Sequence, residues 1–269
     1  MRTIAHLSDL HFGRIDPGVL APLRNAVVDA RPDLIALSGD FTQRAQRKQF
    51  AAAREFIDTL HAPKLMVPGN HDVPLWNVAR RFITPFTRYK AFISENLEPE
   101  YVDDEMIVVG VNTARSFAHG EGRINSGQVD RIVARLATTT PSLVRVVVTH
   151  HPFDLPPGVQ ERRLLGRAPM AMARLAKANA DLFLSGHLHL SHASHSVERY
   201  KIEGHSALIV QAGTVSLRGR GEQPSFNVLR IQRPEIELVR YVWDPSSSIF
   251  TPTATGRYVH TPSGWTDVD

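Results

Sequence analysis

The chain has 269 residues, 42% hydrophobic and 22% charged, a globular composition that excludes a disordered, collagen-like or coiled-coil protein. It has no cysteine, which excludes disulfides, thiolate metal sites and thiol catalysis and leaves His, Asp, Glu, Asn or backbone oxygen for any metal. Its 31 basic and 27 acidic residues give a net charge of +4, and no basic run is interleaved with aromatics as a nucleic-acid surface would require.

Residues 3–8 (TIAHLS) read as a short strand. Asp16-Pro17 is a cap followed by a first-turn proline, and Val19, Leu20, Leu23, Val27 and Ala30 recur at helical spacing. Residues 33–38 (DLIALS) form a continuous apolar run, the mark of a strand buried on both faces. Phe50, Ala53, Ile57 and Leu60 place a helix within 43–60, and 64–67 (KLMV) are a third strand stopped by Pro68-Gly69. Phe82, Phe86, Tyr89 and Ile93 mark a helical stretch expected to pack on the core, and residues 75–100 are a candidate helical cap insertion. Residues 106–111 are a strand, and Ser126 is the expected cap of a helix carrying Val129, Ile132, Val133 and Leu136. Strands at 143–148 and 181–184 flank a helix near 168–179. Beyond residue 190 the helical period disappears, and 193–200, 207–212, 226–231 and 235–243 read as strands. The stretch 246–269, rich in Ser, Thr, Pro and Gly, is expected to be a loop-like tail to a single α/β domain over 1–245 with two sheets. No apolar run approaches the ~18 residues of a membrane span. The start MRTIAHLSDLHFG lacks a secretion h-region, so the expected compartment is the cytoplasm.

The polar residues that matter share one address. Ser8-Asp9-Leu10-His11 follows the first strand, Gly39-Asp40 the second and Gly69-Asn70-His71-Asp72 the third. Thr149-His150-His151 and Gly186-His187-Leu188-His189 close two later strands. Ligands of open α/β sheets bind beyond the carboxyl ends of the strands, so these groups should converge. Two carboxylates, one amide oxygen and three or four imidazoles form a nitrogen/oxygen ligand set suited to manganese, iron, zinc or nickel and a poor fit for calcium. Seven ligands exceed one tetrahedral ion and suffice for two ions sharing a bridge. In extended chain, residues i and i+2 point to one side, so each Asp-x-His or His-x-His pair could reach one pocket. Chance places GNHD on the order of once per thousand chains of this length, and five such motifs at strand ends are not coincidence. His6 is expected to be a satisfied core residue, and His61, His119, His192, His195, His205 and His260 surface residues. His151 is a candidate for supporting its neighbour His150.

The series DLH, GD, GNHD, HH and GHLH, in this order and over residues 9–189, resembles the calcineurin-like metallophosphoesterase superfamily. The later VQAGTVSLRGRG, FNVLRI and ELVRYVW resemble the C-terminal strands of bacterial third-class cyclic nucleotide phosphodiesterases. The resemblance implies an α/β fold, a four-layer αββα sandwich of two mixed sheets flanked by helices. It also implies two divalent or transition metal ions, one on Asp9, His11, Asp40 and His189, the other on Asp40, Asn70, His150 and His187, with Asp40 bridging. Such ions would supply charge for a phosphoryl group and a water acidified toward neutral pH. His71, not needed as a ligand, is the expected catalytic residue, donating to the developing charge or protonating the leaving oxygen, and Asp72 is expected to orient it. His11, Asp40, Asn70, His71 and His189 are expected to meet the substrate.

The expected function is hydrolysis of phosphodiesters, with a cyclic nucleotide among the substrates. The partner is a small phosphoester, and no clear nucleic-acid or membrane surface is visible. A phosphomonoesterase, a nucleotide-lipid pyrophosphatase or a nuclease of the same superfamily is the near alternative. A non-catalytic binding module would be expected to have lost ligands or the histidine after Asn70. Arg115, Arg123, Arg218 and Arg220 lie in two loops that could fold over the pocket.

Overall fold

A computed structural model describes residues 1–117 and 120–268. Strand and helix alternate through the first two-thirds of the chain. The first elements are β1 (Arg2–Leu7), α1 (Pro17–Asp29), β2 (Leu34–Leu37), α2 (Arg47–Asp58), β3 (Lys64–Met66), α3 (Val78–Ile83) and α4 (Thr87–Phe92). Then come β4 (Glu100–Val102), β5 (Met106–Val111), α5 (Ser126–Ala137), β6 (Val144–Thr149), α6 (Ala168–Lys177), β7 (Leu182–Ser185), β8 (His192–His195) and α7 (Ser196–Tyr200). Five strands finish the described chain: β9 (Leu208–Gln211), β10 (Ser225–Gln232), β11 (Glu235–Asp244), β12 (Ile249–Thr261) and β13 (Gly264–Asp267).

These strands form two mixed sheets. One is ordered β13-β12-β11-β10-β1-β2-β3 and the other β4-β5-β6-β7-β9-β8. The continuous apolar runs follow from the layering. In β1 and β2, Ile4, Leu34 and Ala36 face the opposite sheet, while Ala5, Leu7, Ile35 and Leu37 pack against α1 and α2. In β6, Val144, Val146 and Val148 face inward and Val147 packs under α5 and α6. These inner strands are therefore covered on both faces, which gives the four-layer αββα sandwich. Strands β1, β2 and β3 are parallel, as are β5, β6, β7 and β9, so the five motif-bearing ends share one rim. No helix among the described residues is long and apolar enough to cross a membrane.

Four local expectations are corrected. The cap of α5 is Asn125, whose side chain accepts from the Gln128 amide, and Ser126 is the first helical residue. Residues 193–200 are not one strand, because β8 ends at His195 and α7 begins at Ser196. The tail 246–269 is not loop-like: β12 pairs with β11 along its length and β13 pairs with β12. Thr251, Thr253 and Thr255 are good strand residues. Pro252 is tolerated because the register shifts there, with Arg240 facing Ala254 and Tyr241 facing Pro252, and a bulge needs no amide from proline. Finally, Tyr89 and Ile93 are buried as the helical period requires, but Phe82 is 46% exposed, with its ring 4.9 Å from that of the still more exposed Phe117. The segment 75–100 holds the two short helices α3 and α4.

Candidate metal centre

The motif residues leave their strands through backbone that L residues seldom adopt. Asp9, His11, Asp40, His187 and His189 have φ of 56°, 45°, 54°, 72° and 58°, each in the left-handed region, which costs about 1–3 kcal/mol per residue. The shared direction of Asp9 and His11, and of His187 and His189, therefore does not come from an extended pleat. Neighbouring chain holds these turns in place. The Asp9 amide donates to the Gly39 carbonyl at 3.1 Å, and the His11 amide to the Asp40 carbonyl at 2.9 Å. The motif glycines leave the necessary space. A Cβ on Gly69 would lie 2.3 Å from the Asp40 nitrogen, and one on Gly186 1.8 Å from Ser8 Oγ.

The side chains converge into two groups about one carboxylate. In the first, His11 Nε2 and His189 Nε2 are 3.0 Å apart, and Asp9 Oδ1 lies 3.4 Å from the former and 3.1 Å from the latter. Ligand atoms about 2.0–2.2 Å from one ion are separated by about 3.0–3.5 Å, so this spacing is that of a coordination sphere. In the second, His150 Nε2 is 3.1 Å from Asn70 Oδ1, and the His187 ring centroid is 5.1 Å from that of His150. Asp40 Oδ2 stands between the groups, 3.7 Å from His11 Nε2 and 3.4 Å from His150 Nε2. Its other oxygen accepts from the His71 amide at 2.7 Å. Two imidazoles are aimed by backbone carbonyls: His150 Nδ1 donates to Ser38 O at 2.7 Å and His189 Nδ1 to Arg218 O at 2.9 Å. That fixes the proton on Nδ1 and leaves Nε2 free to ligate. Asp9 Oδ1 and His187 Nε2 are buried with no hydrogen-bond partner, as ligand atoms for a cation would be. The donor set thus fits two divalent ions.

The charges agree. Burial would raise the Asp9 carboxyl, but His189 and His11 outweigh it and hold it well below the carboxylate range. Burial would also raise Asp40, and His150 with His71 reverses that. Burial alone would lower His150; Asp40 and Asp9 instead push it up to about 9. Burial next to His150 lowers His187 to about 3. A proton on His150 stands where an ion's charge would be.

Asn70 and His71 are half-buried at the mouth, whereas Asp9, His11, Asp40, His150, His187 and His189 are buried. His71 is oriented, but not by Asp72: its Nδ1 donates to Gln43 O at 2.9 Å. The Asp72 carboxylate is occupied by the Phe41, Thr42 and Gly69 amides and the Thr42 hydroxyl. His6 is buried and half satisfied, with Nε2 2.9 Å from Ser38 Oγ and Nδ1 unpartnered. His151 is buried, with Nδ1 2.8 Å from Thr113 Oγ1 and its ring 4.6 Å from that of His187, so it packs on that imidazole as well as following His150. Of the histidines expected at the surface, His61 is exposed. His192, His195 and His260 are half-buried and face Asp154, Asp267 and Asp181; His205 is half-buried, and His119 lies outside the described residues. Among the four loop arginines, Arg115 turns away to Gln128 and Arg123 and Arg220 are exposed. Arg218 does fold over the pocket: its Nη1 is 3.0 Å from His71 Nε2 and 3.3 Å from His11 Nε2.

Residues 2–191 match the family profile of the calcineurin-like phosphoesterases. The chain belongs to that family. It is 27% identical over 203 residues to a probable cyclic nucleotide phosphodiesterase of Synechococcus sp., covering 70% of this chain and 73% of that one. It is 25% identical over 166 residues to a glycerophosphodiester phosphodiesterase of Enterobacter lignolyticus, covering 56% of this chain and 58% of that one, so the match spans little more than half of this second relative. The fold is also that of a dimetal phosphatase from Danio rerio, with a TM-score of 0.64, 13% identity and coverage of 88% of this chain and 95% of that one. The protein is a metal-dependent phosphoric ester hydrolase with a dinuclear centre.

Proposed function

We propose that this calcineurin-like phosphoesterase hydrolyses phosphodiesters, with 3′,5′-cyclic nucleotides among its substrates. Asp9, His11, Asp40 and His189 would hold one ion and Asp40, Asn70, His150 and His187 the other, Asp40 belonging to both sets. The observation that carries this division is the position of Asp40 Oδ2 between His11 Nε2 and His150 Nε2. Two divalent ions, when bound, supply a water acidified toward neutral pH and positive charge for the phosphoryl oxygens. The protein's own contribution is placement. The backbone carbonyls of Ser38 and Arg218 hold His150 and His189 in the ligating tautomer, and the buried Asp9 and Asp40 supply two negative charges. Asn70 and His71 stand at the mouth, where the leaving oxygen of a substrate would lie. His71 carries its proton on Nδ1 toward Gln43 O, so its imidazolium form is the one that donates from Nε2 to that oxygen.

The diester preference rests on the two relatives, whose names both specify phosphodiesters. A phosphomonoesterase reading is favoured by one specific observation, the Arg218 guanidinium inside the pocket, because a dianionic monoester gains more from an added cation than a monoanionic diester does. Steady-state rates on the metal-loaded protein decide between them. The pairs are 3′,5′-cyclic AMP and a bis-ester against 5′-AMP and a simple monoester. The diesterase reading expects higher kcat/KM for the first pair, and a tenfold advantage of the monoesters overturns it.

A further inference from the structure

We infer that Arg218 is a specificity-determining residue of this centre: its guanidinium binds a non-bridging phosphoryl oxygen beside His71, and most strongly where the phosphoryl group carries a second negative charge. This rests on the phosphoesterase activity and adds which phosphoryl groups the site holds best.

The partners of Arg218 show why. Its guanidinium has no carboxylate within 4.0 Å among the described residues; its side-chain contacts are the two imidazoles of His71 and His11. His71 donates through Nδ1 to Gln43 O, so its Nε2 presents a lone pair and the Arg218 Nη1–H donates to it. A half-buried guanidinium whose side-chain hydrogen bonds go to imidazole nitrogens has no carboxylate against it at close range. Two bound ions would add four positive charges to the two negative charges of Asp9 and Asp40. No described residue then offers Arg218 an anionic partner, and the partner of matching chemistry is the substrate's phosphoryl oxygen.

The loop around Arg218 is built to hold it there. Thr214 Oγ1 donates to Asp9 O at 2.7 Å, the Leu217 amide donates to Arg14 O at 3.0 Å and the Arg218 amide to Ser216 Oγ at 3.3 Å. The chain then turns back sharply. A Cβ on Gly219 would lie 2.3 Å from Glu222 O, and Gly221 has a φ of 90°. Glu222 closes the turn, accepting from the Ser191 amide and from Arg240 Nη2. The Arg218 backbone is thereby anchored on both sides at the mouth of the site. A diesterase with this residue would also retain its own product, since opening a cyclic diester leaves a dianionic monoester.

The test separates the guanidinium from the backbone of the same residue. The Arg218 carbonyl aims His189 and survives side-chain replacement, so Arg218→Ala is expected to retain both ions. Inorganic phosphate is titrated calorimetrically into metal-loaded parent, Arg218→Ala, Arg218→Lys and Arg220→Ala, with metal content measured on each. Arg218→Ala is expected to weaken phosphate binding about 10- to 100-fold, the scale of a lost charge-assisted contact. Arg218→Lys should fall between, and Arg220→Ala should match the parent. Loss of kcat/KM should be at least tenfold larger for 5′-AMP than for a bis-ester. Phosphate affinity within twofold of the parent, with both ions bound, overturns the inference and leaves the phosphoesterase reading intact. Loss of an ion from Arg218→Ala also overturns it, because the side chain would then serve to fix His11 and His71. A parent that binds two ions but neither phosphate nor any ester overturns both.

Discussion

Gly186→Ala isolates the effect of space at the centre from every other effect. Gly186 does not adopt a left-handed φ, so alanine is not strained by its backbone. Its Cβ, however, would lie 1.8 Å from Ser8 Oγ, 2.6 Å from Ser8 Cβ and 2.5 Å from Asp9 Oδ2. The Ser8 hydroxyl could rotate away only by giving up its hydrogen bonds to Asp9 Oδ2 and Ser38 O, and Ser8 Cβ cannot rotate at all. Asp9 would have to shift as well, and its Oδ2 accepts from the His187 amide at 2.9 Å. Overpacking of this kind costs about 1–3 kcal/mol, or about 2–12 °C in Tm at about 2–4 °C per kcal/mol for a domain near this size. The displaced Asp9 should also weaken one ion. Gly127→Ala is the control: its nearest neighbour would be Asn125 Oδ1 at 3.5 Å, and in the first turn of α5 alanine is favoured by up to ~1 kcal/mol. Thermal unfolding and metal content of both variants are the assay. Gly186→Ala retaining two ions per chain with a Tm within about 1 °C of the parent would refute the reasoning.

Asp40→Ala should lose occupancy at both metal positions and all but background turnover, because one carboxylate serves both groups; metal analysis showing two tightly held ions would sink that assignment. His71→Ala should keep both ions and lose roughly 10²–10⁴-fold in turnover, with a smaller loss for a nitrophenyl ester than for an alkyl one, and equal losses would make His71 a stabiliser of developing charge instead of a proton donor. His150, raised from 6.5 to about 9 in the metal-free protein, contributes stability that is fully present below about pH 6.5 and is lost as pH rises through about 9. The Tm of metal-free protein should therefore fall over that window. An ion must displace the same proton, so its apparent affinity should climb about tenfold per pH unit toward pH 9; calorimetry in buffers of different ionisation enthalpy that shows no proton release at pH 7 would contradict this.

What could be read from residue types and what could not divide along physical lines. The inner strands are visible because two-sided burial demands unbroken apolar runs, as in MIVVGV of β5 and VRVVVT of β6. The candidate ligands are visible because few side chains can hold a metal and strand ends place them together. Strand β12 was hidden because its pairing with β11 depends on a register shift that accommodates Pro252, which the local sequence does not display. Phe82 fits a helical period yet stays exposed, since a period names a face and not what covers it.

The deeper limit is at the centre itself. Asp and His carry no mark of a left-handed backbone, yet five of the seven candidate ligands adopt one. The visible trace of that strain is its surroundings: Gly39, Gly69 and Gly186 stand where a methyl group would strike a neighbouring motif. Those glycines belong to the same chemistry as the candidate ligands they flank, because each lets one loop approach another closely enough for side chains from distant strands to reach one ion. Arg218 left no such trace. It lies 207 residues beyond His11, and a single arginine in a loop gives no sign of which pocket it enters. Its place is decided by what the Gly219–Gly221 turn can reach, and that becomes evident only once both sheets are assembled.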